Sequence, residues 1–274
     1  MNRRHLSMLL AASTFAGCDS TSTEPEATDL FVVEAFLFAG EVINDIRITE
    51  TIPLSDTIDA PPINDAQVEL FKNGLTYTLV ATGDSGYYEY TADDLAVEAG
   101  DTIGIAVTYG GVIATGETVV PNAPVGVGID RDTLWVPELG VGMGGGGFNR
   151  EDSQLAASWD NPDQLLHYVV IESLEDSAES IVPDGFRKFV SRFRLVAEPT
   201  KDDYHFIDMR ALRDMGRHIA RVYRVNEEYA QLYDNRTQDS RDLNEPPSNI
   251  HGGLGVFSAF SSDSVAFAVV RETS

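Results

Sequence analysis

The stretch QVELFKNGLTYTLV, residues 67–80, decides the fold class. In its first part the apolar Val68 and Leu70 alternate with polar residues, which is the pattern of a half-buried strand. Asn73-Gly74 separates this run from a second one that follows at once. Asn-Gly between two such runs is the strongest short sequence signal for a tight β-hairpin turn. The stretch therefore predicts an antiparallel hairpin.

Strand-like runs lie on both sides of this hairpin. They are Leu30 to Phe38, Ile43 to Thr49, Tyr87 to Tyr90, Thr102 to Tyr109 and Val112 to Val120. The region of residues 55–64 is rich in Asp and Pro and predicts a loop. About seven strands at this spacing, without a helical pattern between them, predict a β-sandwich domain over residues 29–122.

A second domain, again mainly β, is predicted over residues 123–274, because Pro121 and Pro124 end the first one. A strand around Trp159, whose ring is expected in the core, precedes a strand from His167 to Glu172. The fold class predicted is thus mainly β, with two β-sandwich domains, Ig-like or transthyretin-like and fibronectin III-like, and a short helix in the second.

The rest of the second domain gives further strand signals. Arg217 to Val225 alternates cleanly, and Asn226 then offers a cap for a helix over residues 227–233, with acids in its first turn. Val256 to Phe260 and Val265 to Val270 are predicted as two closing strands.

The first 17 residues have the plan of a secretory signal. Arg3 and Arg4 form a basic tip, and the twelve residues from Leu6 to Gly17 carry no charge. This run is too short for a membrane-spanning helix, which needs about 20 apolar residues. Residues 1–17 are therefore predicted to be removed as a signal peptide.

The only cysteine, Cys18, follows this run directly. The residues 15–18, Phe-Ala-Gly-Cys, resemble the lipobox of bacterial lipoproteins, with Phe15 where Leu is usual. The resemblance implies that Cys18 carries lipid, and two or more acyl chains anchor a protein stably to a membrane. The alternative is an incidental cysteine near an ordinary cleavage site. With Cys18 consumed, disulfides and cysteine-ligated metals are excluded.

Residues 18–28 are predicted to be the lipidated cysteine and a flexible tether, since they show no apolar periodicity. Such a tether spans at most about 35 Å. Asp19 resembles an inner-membrane retention signal of enterobacteria, whereas acids behind the cysteine resemble a surface-export signal of Bacteroidota. The membrane face is therefore left open.

The charge excludes one class of partner. The chain has a formal net charge of −25, with 44 acidic residues against 19 Lys and Arg. Binding of nucleic acid needs clustered Lys and Arg, so a nucleic-acid partner is not expected. Adaptation to a saline habitat, a cationic ligand, or simply a well-solvated acidic surface would each explain the excess of acids.

Two glycine motifs are candidate ligand sites. Residues 140–145 match G-x-G-x-x-G, but they open no helical pattern and no βαβ unit surrounds them, which favours a plain glycine loop. Residues 251–255, His-Gly-Gly-Leu-Gly, are similar to the oxyanion-hole loops of lipases. The chain has no G-x-S-x-G nucleophile motif, so a tight turn before a strand is favoured.

No other pattern names a reaction. Four histidines beyond the signal, His167, His205, His218 and His251, lack zinc-site spacing. The acidic turns at 130–132 and 160–163 do not match the twelve-residue calcium loop, although a loose calcium site stays an alternative. Among so many acids, no carboxylate pair stands out for glycoside hydrolysis. The sequence predicts no catalytic residue, no metal ligand and no cofactor.

One strand concentrates aromatic residues. Tyr88 and Tyr90 are expected on one of its faces and Tyr87 on the other. Packing inside a sandwich is the favoured interpretation, and an exposed face that stacks on sugar rings is the alternative.

Three resemblances carry the functional expectation. The arrangement INDAQVELFKNG…GDSGYYEYTADDLAVEAGDTIGIAVTYGG resembles a transthyretin-like or carboxypeptidase-regulatory module over about residues 29–122. SWDNP followed by YVVIE is similar to two strands of a fibronectin type III-like sandwich. The whole order, closed by SNIHGGLGVF at residues 248–257, resembles the uncharacterised lipoproteins of Bacteroidota that are often encoded beside TonB-dependent outer-membrane receptors.

That last resemblance implies a non-enzymatic, lipid-anchored outer-membrane protein of the cell envelope. It would act as an accessory or binding partner of a TonB-dependent receptor, by binding its substrate or capping its mouth. A glycan or peptide ligand is left open. The alternatives are a glycan-directed surface hydrolase, with carboxylates from the second domain, and a structural or adhesive module.

Overall fold

A computed structural model describes residues 30–52, 59–83, 85–136, 154–175, 179–181, 194–196, 198–234 and 248–272. Cys18, the predicted signal peptide, the predicted tether and the glycine run at 140–147 lie outside these residues. Across the described chain, no helix is both long and apolar enough to cross a bilayer.

Most of the regular structure in the described chain is β-strand, which confirms the predicted fold class. The first half contains β1 (Phe31–Phe38), β2 (Asp45–Glu50), β3 (Gln67–Lys72), β4 (Leu75–Thr78), β5 (Val80–Ala81), β6 (Tyr87–Glu89), β7 (Thr102–Tyr109) and β8 (Val112–Val119). The second half contains β9 (Val125–Ile129), β10 (Thr133–Val136), β11 (Gln154–Asp160), β12 (His167–Ser173), β13 (Arg194–Val196), β14 (Tyr204–Asp208), a 3-10 turn (Met209–Ala211), β15 (Gly216–Arg224), the helix α1 (Glu227–Asp234), β16 (Ile250–His251) and β17 (Leu254–Arg271).

The hairpin predicted from Asn73-Gly74 is confirmed. Strands β3 and β4 pair antiparallel up to Lys72 and Leu75. Asn73 has φ 53° and Gly74 has φ 77°. Positive φ at both central residues defines the type I′ turn, whose twist matches that of the flanking strands. Local turn chemistry therefore sets the register here.

The first half is a β-sandwich. Strands β16, β8, β7, β3 and β4 form one sheet, in that order, and β1, β2, β6 and β5 belong to the other. Alternate residues of β1 point inward: Phe31, Val33, Ala35 and Leu37 are all buried. They pack in one apolar cluster with residues of the facing sheet such as Leu70. Period-2 alternation thus supplies the core.

The second half is a second sandwich. A small sheet of β14, β11 and β9 packs against the sheet that contains β13, β12, β15 and β17. Trp159 is 3% exposed and lies in this core, as predicted. Two independent apolar clusters therefore stabilise the two halves.

Strand β17 connects the halves in a way that the sequence did not predict. Its first residues pair in parallel with β1, from Val32↔Leu254 to Phe38↔Phe260. From Ser261 onward it pairs antiparallel with β15, and its end pairs in parallel with β10. One sheet consequently runs without interruption through both halves.

Two closing strands were predicted where the structure has one strand of 18 residues. The polar run Ser261-Ser262-Asp263-Ser264 looks like a break, but β15 pairs with all of it. The predicted boundary between residues 29–122 and 123–274 takes no account of the fact that β17 pairs with strands of both halves. By strand pairing, Ile250 to Phe260 belong to the first half, since β16 also pairs with β8.

Aromatic rings fill the place where the two halves meet. Phe260 of β17 stacks on Phe38 of β1, with ring centroids 4.9 Å apart. Phe260 and Tyr229 pack edge to face, with ring centroids 4.8 Å apart. Tyr168 and Tyr223 stack at 4.8 Å. This group, called the aromatic junction below, consists of Phe36, Phe38, Tyr168, Tyr223, Tyr229 and Phe260. It links β1, β12, β15, β17 and α1.

Candidate functional site

A cleft of about 540 Å³ lies between the two halves, beside the aromatic junction. It is lined by residues 100 and 119–122 from the first half and by 164–166, 201 and 224–227 from the second. A smaller cavity of about 370 Å³ adjoins it and shares residues 166, 201 and 227. Ligand pockets typically have volumes of about 300–1,000 Å³. This junction cleft is the candidate site.

Hydrogen bonds between the halves fix one wall of the junction cleft. The Asn226 side-chain amide donates to Thr118 Oγ1 at 3.1 Å and to the Val119 carbonyl at 2.8 Å. Thr118 in turn donates to Glu228 Oε1 at 3.0 Å. Ser261 Oγ donates to the Pro121 carbonyl at 2.6 Å. The start of α1 is therefore held against the end of β8.

Asn226 precedes α1, as predicted, and its carbonyl accepts from the Ala230 amide at 3.3 Å, which is the first helical hydrogen bond. Its side-chain amide, however, donates to β8 of the other half. The residue predicted as a helix cap thus joins the two halves.

Asn161 organises the opposite wall. This buried side chain accepts from the Leu165 amide at 2.8 Å and donates to the Leu165 carbonyl at 3.0 Å. It also donates to the Lys201 carbonyl at 2.8 Å. One amide therefore ties the 161–166 loop to the segment that carries Lys201. Hydrogen bonds between His167 and Thr200, at 2.9 and 2.7 Å, attach that segment to β12.

Two cations line the junction cleft of an otherwise acidic protein. Among the described residues, neither the Lys201 ammonium nor the Arg224 guanidinium has a hydrogen-bond or ion-pair partner. Two other cations are paired: Lys72 Nζ lies 2.6 Å from Asp101 Oδ2, and Arg271 lies 2.7 Å from Glu179 Oε1. Among the described residues of the cleft lining, Glu227 carries the one carboxylate. Two positive charges thus face one negative charge there.

The histidine beside the cleft, His167, contacts the protein backbone and a core tryptophan. His167 Nδ1 lies 3.0 Å from the Leu165 carbonyl, and the imidazole ring packs on Trp159 at 5.5 Å. Burial lowers the pKa of His167, and the Arg224 charge lowers that pKa further, although the Leu165 bond opposes both. The ring is therefore neutral near pH 7. A neutral, buried imidazole stabilises the loop beside the cleft without adding charge to it.

The four histidines noted in the sequence do not come together. They lie in four different strands, β12, β14, β15 and β16. Burial lowers the pKa of both His205 and His218. Within the ranges that the structure covers, no three His, Cys, Asp or Glu side chains are grouped closely enough to hold a metal ion.

The tyrosine strand belongs mainly to the core. Tyr88 is buried, donates its hydroxyl to the Ile63 carbonyl at 3.0 Å and accepts from the Ala66 amide. Tyr90 donates to Asp94 Oδ1 at 2.5 Å, and this bond to a carboxylate raises the pKa of Tyr90 to about 12. Only Tyr87 faces outward, beneath Arg47. The face shared by Tyr88 and Tyr90 is therefore not an exposed sugar-stacking face, and the favoured interpretation, packing inside the sandwich, fits Tyr88.

An exposed aromatic pair lies elsewhere, on β14. Tyr204 is 47% exposed and Phe206 is 50% exposed, with ring centroids 5.1 Å apart. The alternation Tyr204-His205-Phe206-Ile207 places both rings on the solvent side of the small sheet. The alternation of residues 204–207 could have indicated from the sequence that Tyr204 and Phe206 share one face of a strand. It does not indicate which face of that strand is buried.

The glycine motif at 251–255 is explained by backbone geometry. Gly252 has φ +80°, and a Cβ there would lie 2.4 Å from the Ile113 carbonyl oxygen. Gly255 has φ +112°, and a Cβ there would lie 2.1 Å from the Val33 carbonyl oxygen. Only glycine fits both positions. This tight passage, as predicted for a turn, lets the chain enter the sheet beside β1.

Asn249 completes that passage. Its side chain donates to the Phe257 carbonyl at 2.7 Å and accepts from the Phe257 amide at 2.9 Å. The stretch SNIHGGLGVF therefore encodes the entry of β17 into the first half. A family model with the description "Domain of unknown function (DUF4249)" matches residues 19–265.

The chain belongs to the DUF4249 family. The match covers the first half, most of the second half and the part of β17 up to residue 265, and its description names no activity. No curated protein matches the chain. Among solved structures, domains A168–A170 of titin show 12% identity and a TM-score of 0.22, with 86% of this chain and 62% of that structure covered. A cytokine receptor complex shows 12% identity and a TM-score of 0.25, with 87% and 95% covered.

Proposed function

We propose that this DUF4249 protein is a non-enzymatic, lipid-anchored protein of the cell envelope that binds a ligand as the partner of a TonB-dependent outer-membrane receptor. The observation that carries the binding role is the junction cleft, which both halves build and in which Lys201 and Arg224 have no protein partner among the described residues. The lipobox resemblance around Cys18 and the family resemblance support the anchor and the receptor.

The path of the chain allows an estimate of the distance between the proposed tether and the junction cleft. β1 is the first strand after the proposed tether, and β17 runs parallel to it before continuing into the second half. At about 3.3 Å per residue, the eight residues of β1 rise about 26 Å. The junction cleft, beside the far end of β1, would then lie about that distance beyond the attachment of the tether. The second half would extend farther from the lipid, towards a partner.

The anchor is tested by Cys18→Ser. We expect this variant to lose its lipid label and to appear in the soluble fraction, because a single thioether to diacylglycerol is the proposed attachment. Ser22→Ala, in the same tether, is the matched control and should remain with the membrane. A Cys18→Ser protein that keeps both lipid and membrane association would refute the anchor.

The receptor is tested by affinity purification from detergent-solubilised membranes of the native host. We expect a TonB-dependent receptor to co-purify with the wild-type protein. A purification without any receptor, together with turnover on a panel of surface glycans, would contradict the proposal and favour the hydrolase alternative.

An adhesive role is the second candidate, favoured by the exposed pair Tyr204 and Phe206. Aromatic rings with free faces stack on apolar sugar surfaces and anchor protein partners. Glycan-array binding that is lost in Tyr204→Ala, with no receptor co-purifying, would support this second function in place of the first.

A further inference from the structure

We propose that the junction cleft binds a ligand through a single carboxylate group, held by Arg224 and Lys201. This inference deepens the binding role proposed above and rests on it only in taking the junction cleft as the ligand site. It starts from an imbalance: the protein carries 25 more negative than positive charges, yet two cations that have no partner among the described residues line this cleft.

The cations in question are unusual for this chain. The sequence contains only three lysines, Lys72, Lys188 and Lys201. Lys72 is held by Asp101 at 2.6 Å and by the Ala96 carbonyl at 2.7 Å. In a protein so rich in acids, a partly buried guanidinium such as Arg224 is expected to find a carboxylate. Here Lys201 and Glu227 are its only charged neighbours among the described residues of the cleft lining.

The chemistry of the lining suits a carboxylate. A guanidinium presents paired N–H donors that match the two oxygens of a carboxylate, and an ammonium adds a point charge. The side-chain amides of Asn122 and Gln164 also lie in the lining and supply further donors. These groups come from both halves, so a bound carboxylate would contact both sides of the cleft.

The charge count favours one negative charge over several. Lys201 and Arg224 against Glu227 leave one net positive charge in the lining. A polyanion would have further charges in the field of the acidic surface, where repulsion weakens binding. A ligand with a single carboxylate neutralises the one net positive charge of the lining and carries no further negative charge for the acidic surface to repel.

The site is formed before any ligand arrives. Asn161 holds the carbonyl of Lys201 and both backbone groups of Leu165. Asn226 and Thr118 hold the neighbouring wall. Groups that are already ordered lose little entropy on binding. The cleft therefore has fixed walls, with two flexible cationic side chains between them.

A carboxylate could come from a peptide or from an acidic sugar, and calorimetric titration at low salt separates these sources. The probes are an N-acetylated tripeptide with a free C-terminus against its C-terminally amidated form, and galacturonate against its methyl ester. We expect one of the two acids to bind and its neutral counterpart to bind at least tenfold more weakly, because hydrogen bonds to charged groups contribute about 1.5–3 kcal/mol.

The variants locate the site. Arg224→Gln should weaken binding of the acid by about tenfold or more, and Lys201→Gln should weaken it severalfold. Arg210→Gln removes one exposed charge from the same half outside the cleft and should leave the affinity unchanged. Circular dichroism and melting temperature establish that each variant is folded.

Three results would overturn the inference. They are failure of both acids to bind at millimolar concentration, equal binding of a neutral counterpart, and equal weakening by Arg210→Gln and Arg224→Gln. The receptor test stays separate. If Arg224→Gln loses the acid while the receptor still co-purifies, both proposals stand. If no receptor co-purifies although the acid binds, only the receptor proposal fails.

Discussion

Replacing Phe260 by Ala tests whether the two halves behave as one cooperative unit. Phe260 is 1% exposed and lies at the residue of β17 where its pairing passes from β1 to β15. Its ring contacts four others: Phe36, Phe38, Tyr168 and Tyr229. Truncation leaves a cavity shared by both halves.

The expected cost is large. Truncation of a buried Phe to Ala costs about 3–5 kcal/mol, and aromatic pairs contribute about 0.5–1.5 kcal/mol beyond their buried area. We therefore expect a loss near the upper end, about 4–5 kcal/mol, in the free energy of unfolding. With a urea slope of about 2–3 kcal/mol/M, the midpoint should fall by about 1.3–2.5 M. Phe206→Ala, at 50% exposure, is the matched control and should cost less than about 1 kcal/mol.

The assay follows urea unfolding with two probes, tryptophan fluorescence and far-ultraviolet circular dichroism. We expect both probes to give one coincident transition, and Phe260→Ala to shift it as a whole. Two separate transitions in the wild type, or a shift of only one of them in the variant, would refute the view that β17 couples the halves. A loss below about 1 kcal/mol would refute the importance of the aromatic junction.

Two further predictions concern backbone and charge. Gly255→Ala should destabilise the protein by at least about 2–3 kcal/mol, because φ is +112° and the new Cβ would lie 2.1 Å from the Val33 carbonyl oxygen. Gly128→Ala is the control, because its Cβ would meet nothing nearer than the Gly126 carbonyl oxygen at 3.9 Å. Equal costs of the two variants in urea unfolding would contradict the explanation. Burial lowers the pKa of His218 below 6.5, so the neutral ring stabilises the fold fully above pH 6.5, and this contribution is lost as the pH falls through the folded pKa. The difference in unfolding free energy between wild type and His218→Gln, which loses the stack on Phe267, should therefore shrink from pH 7.5 to pH 5, and a constant difference would show that the ring does not titrate in that range.

The parts of the fold that sequence predicts are those set by local chemistry. The Asn73-Gly74 hairpin follows from two residues that tolerate positive φ, and β1 follows from the alternation of apolar side chains from Phe31 to Leu37. Trp159 was expected in a core because it lies on an alternating strand, and it is buried there. Such features depend on neighbours within a few residues.

The passage of β17 from the first half into the second could not be predicted from local sequence patterns. The polar residues 261–264 lie where β17 crosses from one half to the other. Ser261 contacts Pro121, and all four residues pair with β15. Polarity within an apolar run normally marks a turn. The signal for continuity is the register with β15, which lies about 40 residues earlier in the chain and is not visible in the local pattern.

The candidate site escaped prediction for a related reason. Its cations were visible as residue types, but Arg224 and Lys201 meet Asn122 only because the fold brings together segments about 80 to 100 residues apart. Asn161 lies in the SWDNP stretch and reads as a turn residue, yet its amide joins two walls of the cleft. Its role depends on the Lys201 carbonyl, which no spacing rule connects to it.

The same long strand explains why the cleft lies where it does. Because β17 is shared, the end of β8 and the start of α1 cannot separate without breaking either the β1–β17 ladder or the β15–β17 ladder. Two sandwiches joined only by the 120–124 linker would be free to change their mutual orientation, as domains with small interfaces do. Here a continuous sheet and the aromatic junction oppose such motion. The walls of the cleft are therefore parts of one framework, and we expect selectivity for the proposed ligand to come from the side chains of Lys201 and Arg224 rather than from closure of the two halves.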